Sequence, residues 1–188
     1  LRTALEIARR GGAVVLADID ADAGADAVAA LAAEGHTAHF VQLDVTDDAS
    51  WDAAIASTIE HVGGINALVN NAGIEISDLL INLDADNARK VFDVNVLGTA
   101  LGIKHAFRAM APGDETRVGG SGGAIVNIAS VAATIAFPGI AAYSASKSAV
   151  QRLTKVAVAE SGRLGYGVRV NTVCPGLVPN AMGTKLAV

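Results

Sequence analysis

The sequence predicts an α/β fold built on a doubly wound parallel sheet. Two observations predict it. Five short apolar runs alternate with helical stretches, the pattern of βαβ units. Those runs are apolar on both sides of the chain, as strands covered by helices on both faces must be. A third observation concerns chemistry: the polar residues worth singling out fall where such strands end, the edge at which open α/β sheets bind ligands.

Leu1 to Arg10 reads as the later part of a helix that Gly11-Gly12 ends. Ala13 to Ala17 is a buried strand ending at Asp18. Ala21 to Glu34 is an alanine-rich helix stopped by Gly35, and Thr37 to Leu43 is a strand ending at Asp44. Thr46 is a candidate N-cap for a helix that runs to about Val62 and breaks at Gly63-Gly64. Ile65 to Asn70 is a short strand entering Asn71-Ala72-Gly73. One long helix spans roughly Asp84 to Met110, with a polar loop from Ala111 to Gly123 behind it. Ala124 to Ala129 is a strand, Tyr143 to about Gly162 a helix, and Val168 to Val173 a strand ending at Cys174-Pro175-Gly176.

Composition narrows the function classes. The chain has 188 residues, 52% of them hydrophobic, which fits one domain with a large core. A net charge of −5 argues against nucleic acid as a partner. No apolar run reaches the ~18 residues of a membrane span, and no secretory signal opens the chain. The single cysteine, Cys174, excludes an internal disulfide and fits a reducing, cytoplasmic setting. His36, His39, His61 and His105 lack metal-ligand spacing, so no metal is expected.

The candidate chemistry centres on Ser130 to Lys147. Tyr143 and Lys147 are four residues apart and share a helix face. Ser130 lies at the end of a strand, far enough upstream for its loop to fold the hydroxyl back toward the phenol. A nearby ammonium favours the phenolate and lowers its pKa, so Tyr143 could move a proton to or from an oxygen that Ser130 holds. A surface tyrosine and lysine on an amphipathic helix would read the same way. The other marks are equally open singly. Asp18 can accept both ribose hydroxyls of an adenosine or cap a helix. Asp44 can receive an adenine amino group or cap the next helix. Gly73 lets a flat ring approach the backbone or simply makes a turn. Asn95, followed by Gly98, is a poor mid-helix residue and reads as a local kink or water site, or as a solvated face.

Taken together, these residues resemble the classical short-chain dehydrogenase/reductase family. The matching motifs are Asn70-Asn71-Ala72-Gly73, Asn95 with Gly98, Ser130, Tyr143-Ser144-Ala145-Ser146-Lys147, and Pro175-Gly176, in the family's order and spacing over almost the whole chain. The resemblance implies a Rossmann-like domain over residues 1–188 and a catalytic tetrad. In it Tyr143 is the general acid/base, Lys147 lowers its pKa and binds the nicotinamide ribose, Ser130 orients the substrate oxygen, and Asn95 holds a water in a proton relay. It further implies that Asp18 and Ile19 bind the cofactor, that Asp44 and Val45 contact adenine, and that Asn71, Ala72 and Gly73 line the cofactor. Pro175, Gly176 and Val178 would shape the nicotinamide pocket. Asp18 matches the family's NAD-preferring acidic position.

Three departures qualify this. The glycine-rich phosphate loop and its strand have no counterpart here, nor do the last strand and the substrate lid. The chain is therefore expected to be incomplete at both ends relative to the family. The missing first strand is central in the order 3-2-1-4-5-6, so these residues are not expected to close one sheet. Asn66 stands where the family usually has Asp, and Asn180 where it has a Thr that touches the carboxamide.

The expected function is NAD-dependent interconversion of a hydrophobic secondary alcohol and its ketone, since Val131, Ala132, Ala133, Ile135 and Phe137 make the loop apolar. The rivals are an NADPH-linked ketone or 3-oxoacyl reductase and a catalytically silent nucleotide-binding regulator. The family also implies a homotetramer paired through its two long helices, with Ala145, Ala149, Leu153, Val156 and Ala157 as the apolar stripe on the second.

Overall fold

The computed structural model describes residues 1–113 and 121–178. Within them the strands are all parallel and form two sheets, and the chain divides into two compact units, 1–65 and 66–188. The first unit runs α1 (Arg2–Arg9), β1 (Val14–Asp18), α2 (Ala21–Ala33), β2 (Ala38–Gln42) and α3 (Asp48–Val62). β1 and β2 pair in register from Val14 opposite Ala38 to Asp18 opposite Gln42. Its core gathers Ala4 and Ala8 of α1, Val14 of β1 and Leu31 of α2. Small alanines let the helices lie close to the strands, and Leu31, fully buried, fills the space between.

The second unit runs β3 (Ala67–Asn70), α4 (Ala85–Phe92), α5 (Gly98–Met110), β4 (Gly123–Ile128), α6 (Ala141–Leu164) and β5 (Val168–Val173), with sheet order β3-β4-β5. Single 3₁₀ turns cover Leu80–Asn82 and Val131–Ala133. Ile125, Val168 and Val170 of the sheet and Met110 and Val150 of the helices are buried. The expected lack of one continuous sheet agrees with this division: the two-stranded and three-stranded sheets are separate.

Three local expectations need correction. The cap of α3 is Asp47, whose carboxylate accepts from the Ala49 and Ser50 amides at 3.3 and 3.0 Å. Thr46 instead bonds back to Asp44, because Asp44 takes both its amide and its hydroxyl at 2.9 and 2.7 Å. The long helix expected over Asp84 to Met110 is broken by a π-helical turn at Asp93–Leu97, so α4 and α5 are separate. Ala157 lies on the buried face of α6, which removes it from the exposed stripe, whereas Ala145 and Val156 are exposed. Part of the expected loop from Ala111 to Gly123 lies outside the described residues, as does Asn180.

Candidate active site

Each strand of the second unit delivers one part of the site from its carboxyl end. β3 leads into Asn71-Ala72-Gly73, β4 into Ser130, and β5 into Pro175-Gly176. Ser130 keeps an extended backbone and caps the short turn after it, its Oγ accepting from the Ala132 amide at 3.1 Å. The chain then returns through Gly139, which has a positive φ of 83°, into α6. Ala132, Ile140 and Tyr143 pack together, so the loop is pinned to the first turn of that helix.

This places the Ser130 hydroxyl close enough to the Tyr143 phenol to pull the phenol's pKa down. Tyr143 is 6% exposed and Lys147 5%, one turn further on the same helix. The Lys147 Nζ donates to the Ile128 carbonyl at 2.8 Å and stands 5.6 Å from the centre of the Tyr143 ring. Burial lowers the lysine to about 8. Burial also pushes the phenol up from its ordinary value; the Ser130 hydroxyl pulls it back, and the negative charge of Glu75 raises it. The net direction at Tyr143 is upward, burial outweighing the depression expected from Lys147. The same desolvation that raises the phenol weakens the ammonium that was to lower it.

Asn95 lies in the π-helical turn and is 1% exposed. Its Oδ1 accepts from the Ile74 amide at 2.8 Å, and its Nδ2 donates to the Ile74 carbonyl and to the Ser146 Oγ, each at 2.9 Å. Its side chain therefore clamps the backbone just past Gly73. Ser146 in turn donates to the Tyr143 carbonyl at 2.7 Å, tying the clamp to α6. A Cβ on Gly73 would stand 3.2 Å from both Asn95 Oδ1 and Lys147 Nζ, a tight contact that those side chains would have to relieve by a few tenths of an ångström.

Beneath these residues runs a buried polar ladder. Asn70 Nδ2 donates to Asn127 Oδ1 at 2.8 Å, and Asn127 Nδ2 donates to Thr154 Oγ1 at 2.9 Å. The strands bearing the Asn71-Ala72-Gly73 turn and Ser130 are thereby fastened to α6. Ser146, Asn127, Thr154 and Glu75 were not singled out from the sequence. A buried polar residue on a strand or helix interior is the signal, and burial is not visible in the sequence itself.

The other expected cofactor residues divide between the units. In the second, Gly176 meets nothing where a Cβ would stand, the Pro175 carbonyl accepts from the Val131 amide at 3.0 Å, and Val178 is exposed. In the first, Asp18 is exposed, with one oxygen accepting from the Asp20 amide at 3.1 Å. Ile19 is exposed and its carbonyl accepts from Gln42 at 3.2 Å. Asp44 is engaged in the turn with Thr46, and the Val45 carbonyl accepts from the Trp51 indole at 3.0 Å. The groups within each unit fit parts of a nicotinamide dinucleotide. Asp18 is an open acceptor suited to hydroxyls, Lys147 has donors beyond the one given to Ile128, and Gly73 leaves the backbone approachable. Among the described residues no cluster suits a metal, and no helix is long and apolar enough to cross a membrane.

The family model for short chain dehydrogenases matches residues 1–187. The chain belongs to the short chain dehydrogenase family. Its members are oxidoreductases that bind a nicotinamide cofactor, and the Rossmann-like fold expected from the sequence is the one present. Among curated relatives, the trans-4-hydroxycyclohexanecarboxylate dehydrogenase of Sinomonas cyclohexanicum is 38% identical, over 96% of this chain and 68% of the relative. The cyclopentanol dehydrogenase of Comamonas testosteroni is 33% identical with the same coverage. A solved short chain dehydrogenase from Mycobacterium smegmatis superposes with a TM-score of 0.85 at 30% identity, covering 96% of this chain and 72% of that one.

Proposed function

We propose that this short chain dehydrogenase interconverts a hydrophobic secondary alcohol and its ketone with NAD, Tyr143 acting as general acid/base. The observation that carries the reading is a buried Tyr143 whose pKa the Ser130 hydroxyl pulls down, with buried Lys147 5.6 Å from its ring. NAD, when bound, supplies the hydride acceptor. The substrate hydroxyl sits against the Ser130 and Tyr143 oxygens. Tyr143, as phenolate, takes the hydroxyl proton during oxidation and, as phenol, returns one during reduction. Lys147 binds the nicotinamide ribose from its buried place next to the ring. Asn95 acts through its side chain by fixing Ile74 and Ser146, and the relay water of the family would meet backbone groups that this clamp holds in place. Asp18 accepts ribose hydroxyls and repels a 2′-phosphate, which favours NAD over NADP.

The cyclopentanol named for one relative supports an alicyclic substrate, as does the ring, though not the carboxylate, of the hydroxycyclohexanecarboxylate named for another. So do the exposed Ile135 and Phe137 beside the site. We further propose a cytoplasmic homotetramer, supported by the exposed apolar side chains Phe92 and Leu97 on the α4–π segment and Val156 on α6.

The deciding assay follows NADH formation over a panel of hydrophobic secondary alcohols, with NAD and with NADP. Turnover is expected with NAD, rising with pH because the phenol is held above its ordinary value, and falling at least about a hundredfold in Tyr143→Phe. Turnover with NADP alone would overturn the Asp18 assignment. Undiminished turnover in Tyr143→Phe would overturn the mechanism.

A further inference from the structure

The segment between Gly73 and Leu83 carries two carboxylates that the mechanism does not use, Glu75 and Asp78, and the charge of Glu75 acts on Tyr143. Glu75 is half-buried, and its charge is felt at the Tyr143 oxygen. Its backbone is held on both sides. Ile74, immediately before it, is clamped through both its amide and its carbonyl by Asn95. Three residues after it, the Asp78 amide donates to the Gly139 carbonyl at 2.7 Å, and Asp78 bridges to Ile140. Ile140 packs on Tyr143. The segment is therefore fastened to the two structures that position the reactive phenol. The Ser77 hydroxyl donates to the Glu75 carboxylate, which holds it in place. Among the described residues no cation pairs with it: the three ion pairs there join Arg9 to Glu6, Arg9 to Glu34 and Arg89 to Asp86. Further along the segment the chain is apolar and open, with Leu79, Leu80 and Ile81 exposed, Ile81 at 89%.

We propose that Glu75 is a specificity-determining residue, an unpaired carboxylate held beside the Ser130–Tyr143 pair that admits neutral and cationic ring alcohols and rejects anionic ones. The proposal rests on the alcohol dehydrogenase reading above and sharpens its substrate class. An anionic substituent carried close to a fixed, half-buried carboxylate is repelled through a medium that screens less than bulk water. An ammonium or a hydroxyl in the same place is attracted or can donate a hydrogen bond. The exposed leucines and isoleucine beyond Glu75 favour a substrate whose remaining surface is hydrocarbon.

The test compares kcat/KM for cyclohexanols of one size that carry, at C3 or C4, a methyl, an aminomethyl or a carboxylate group. With the unaltered protein the carboxylate is expected to fall about tenfold or more below the methyl compound, and the aminomethyl compound to equal or exceed it. Both differences should shrink as salt is raised, since salt screens charge and leaves steric exclusion unchanged. In Glu75→Gln the carboxylate penalty should close to within about twofold, with the methyl compound little changed. A carboxylate used as well as the methyl compound by the unaltered protein overturns the proposal, as does a penalty that neither salt nor Glu75→Gln reduces. If Glu75→Gln does not fold, the salt series alone decides. Failure to oxidise any of the three would instead strike the alcohol dehydrogenase reading.

Discussion

At the scale of single residues, the site is governed by what burial does to two titratable groups. Tyr143 and Lys147 are both withdrawn from water, and desolvation moves each toward its neutral form, the phenol up and the ammonium down to about 8. For Lys147 this has a consequence in stability. A lysine whose pKa falls from 10.5 to about 8 on folding binds its proton less tightly in the folded state. Between those values the unfolded chain holds more protons, so stability rises with pH. Below about 8 the folded state carries the whole penalty, on the order of 3 kcal/mol. Above the ordinary tyrosine range Tyr143 acts in the opposite sense, because a raised phenol keeps its proton in the folded state after the unfolded chain has lost it. Denaturant titrations should therefore show stability climbing from pH 8 to 10. Lys147→Met should abolish that rise, and an unchanged slope in the variant would remove the buried ammonium as its source. The tyrosine-lysine pair was legible in the sequence from spacing alone. The direction of the phenol's shift was not, because charge proximity is visible in spacing and burial is not.

At the scale of elements, the break between α4 and α5 does the most for the site. A straight helix through Asn95 would satisfy its own backbone and leave the side chain on one face. The π-helical turn widens the coil there, and the Thr99 hydroxyl donates to the Asn95 carbonyl at 2.7 Å. The carboxamide can then meet Ile74 and Ser146. Asn95 and Gly98 marked this place in the sequence as weak helix, so a kink there was foreseeable; its partner, Ile74, was not. The second device is the close approach of α5 to β3. The space for a Cβ on Gly102 is occupied by the Asn70 carboxamide, the first rung of the Asn70–Asn127–Thr154 ladder. Gly102→Ala should gain about 1 kcal/mol of helix propensity and lose more than that by displacing the rung, a net loss of roughly 1–3 kcal/mol. Thermal unfolding measures it directly, and a stabilised Gly102→Ala would show that the rung moves aside without cost.

At the scale of the whole molecule, assembly falls to apolar residues that remain exposed on the single chain. Phe92, Leu97 and Val156 are each 40% or more exposed, and all belong to the helical segments that the proposed tetramer pairs. Single exposed apolar residues are common and mean little, but several on the segments expected to pair are what a contact between copies requires. Sedimentation of the protein should give a species heavier than one chain, and Val156→Glu should shift it to a smaller one by placing a charge in the contact. A monomer at micromolar concentration would remove the tetramer from consideration.

The alternation of strands and helices, the parallel class of the sheet, and the choice of Ser130, Tyr143, Lys147 and Asn95 as the residues to watch were all legible in the sequence. Those come from local periodicity and from the order of motifs along the chain. The tertiary structure decided the rest. It put Asp47 rather than Thr46 at the head of α3, because Asp44 captured the threonine first. It buried Ala157, since the turn of α6 against the sheet sets which side faces inward. It joined Asn95 to Ile74 and Ser146 and brought the charge of Glu75 to bear on the phenol, across separations in sequence that no local pattern spans. Hydrogen-bond partners, burial and electrostatic neighbours are properties of the packed chain, and only packing brings them together.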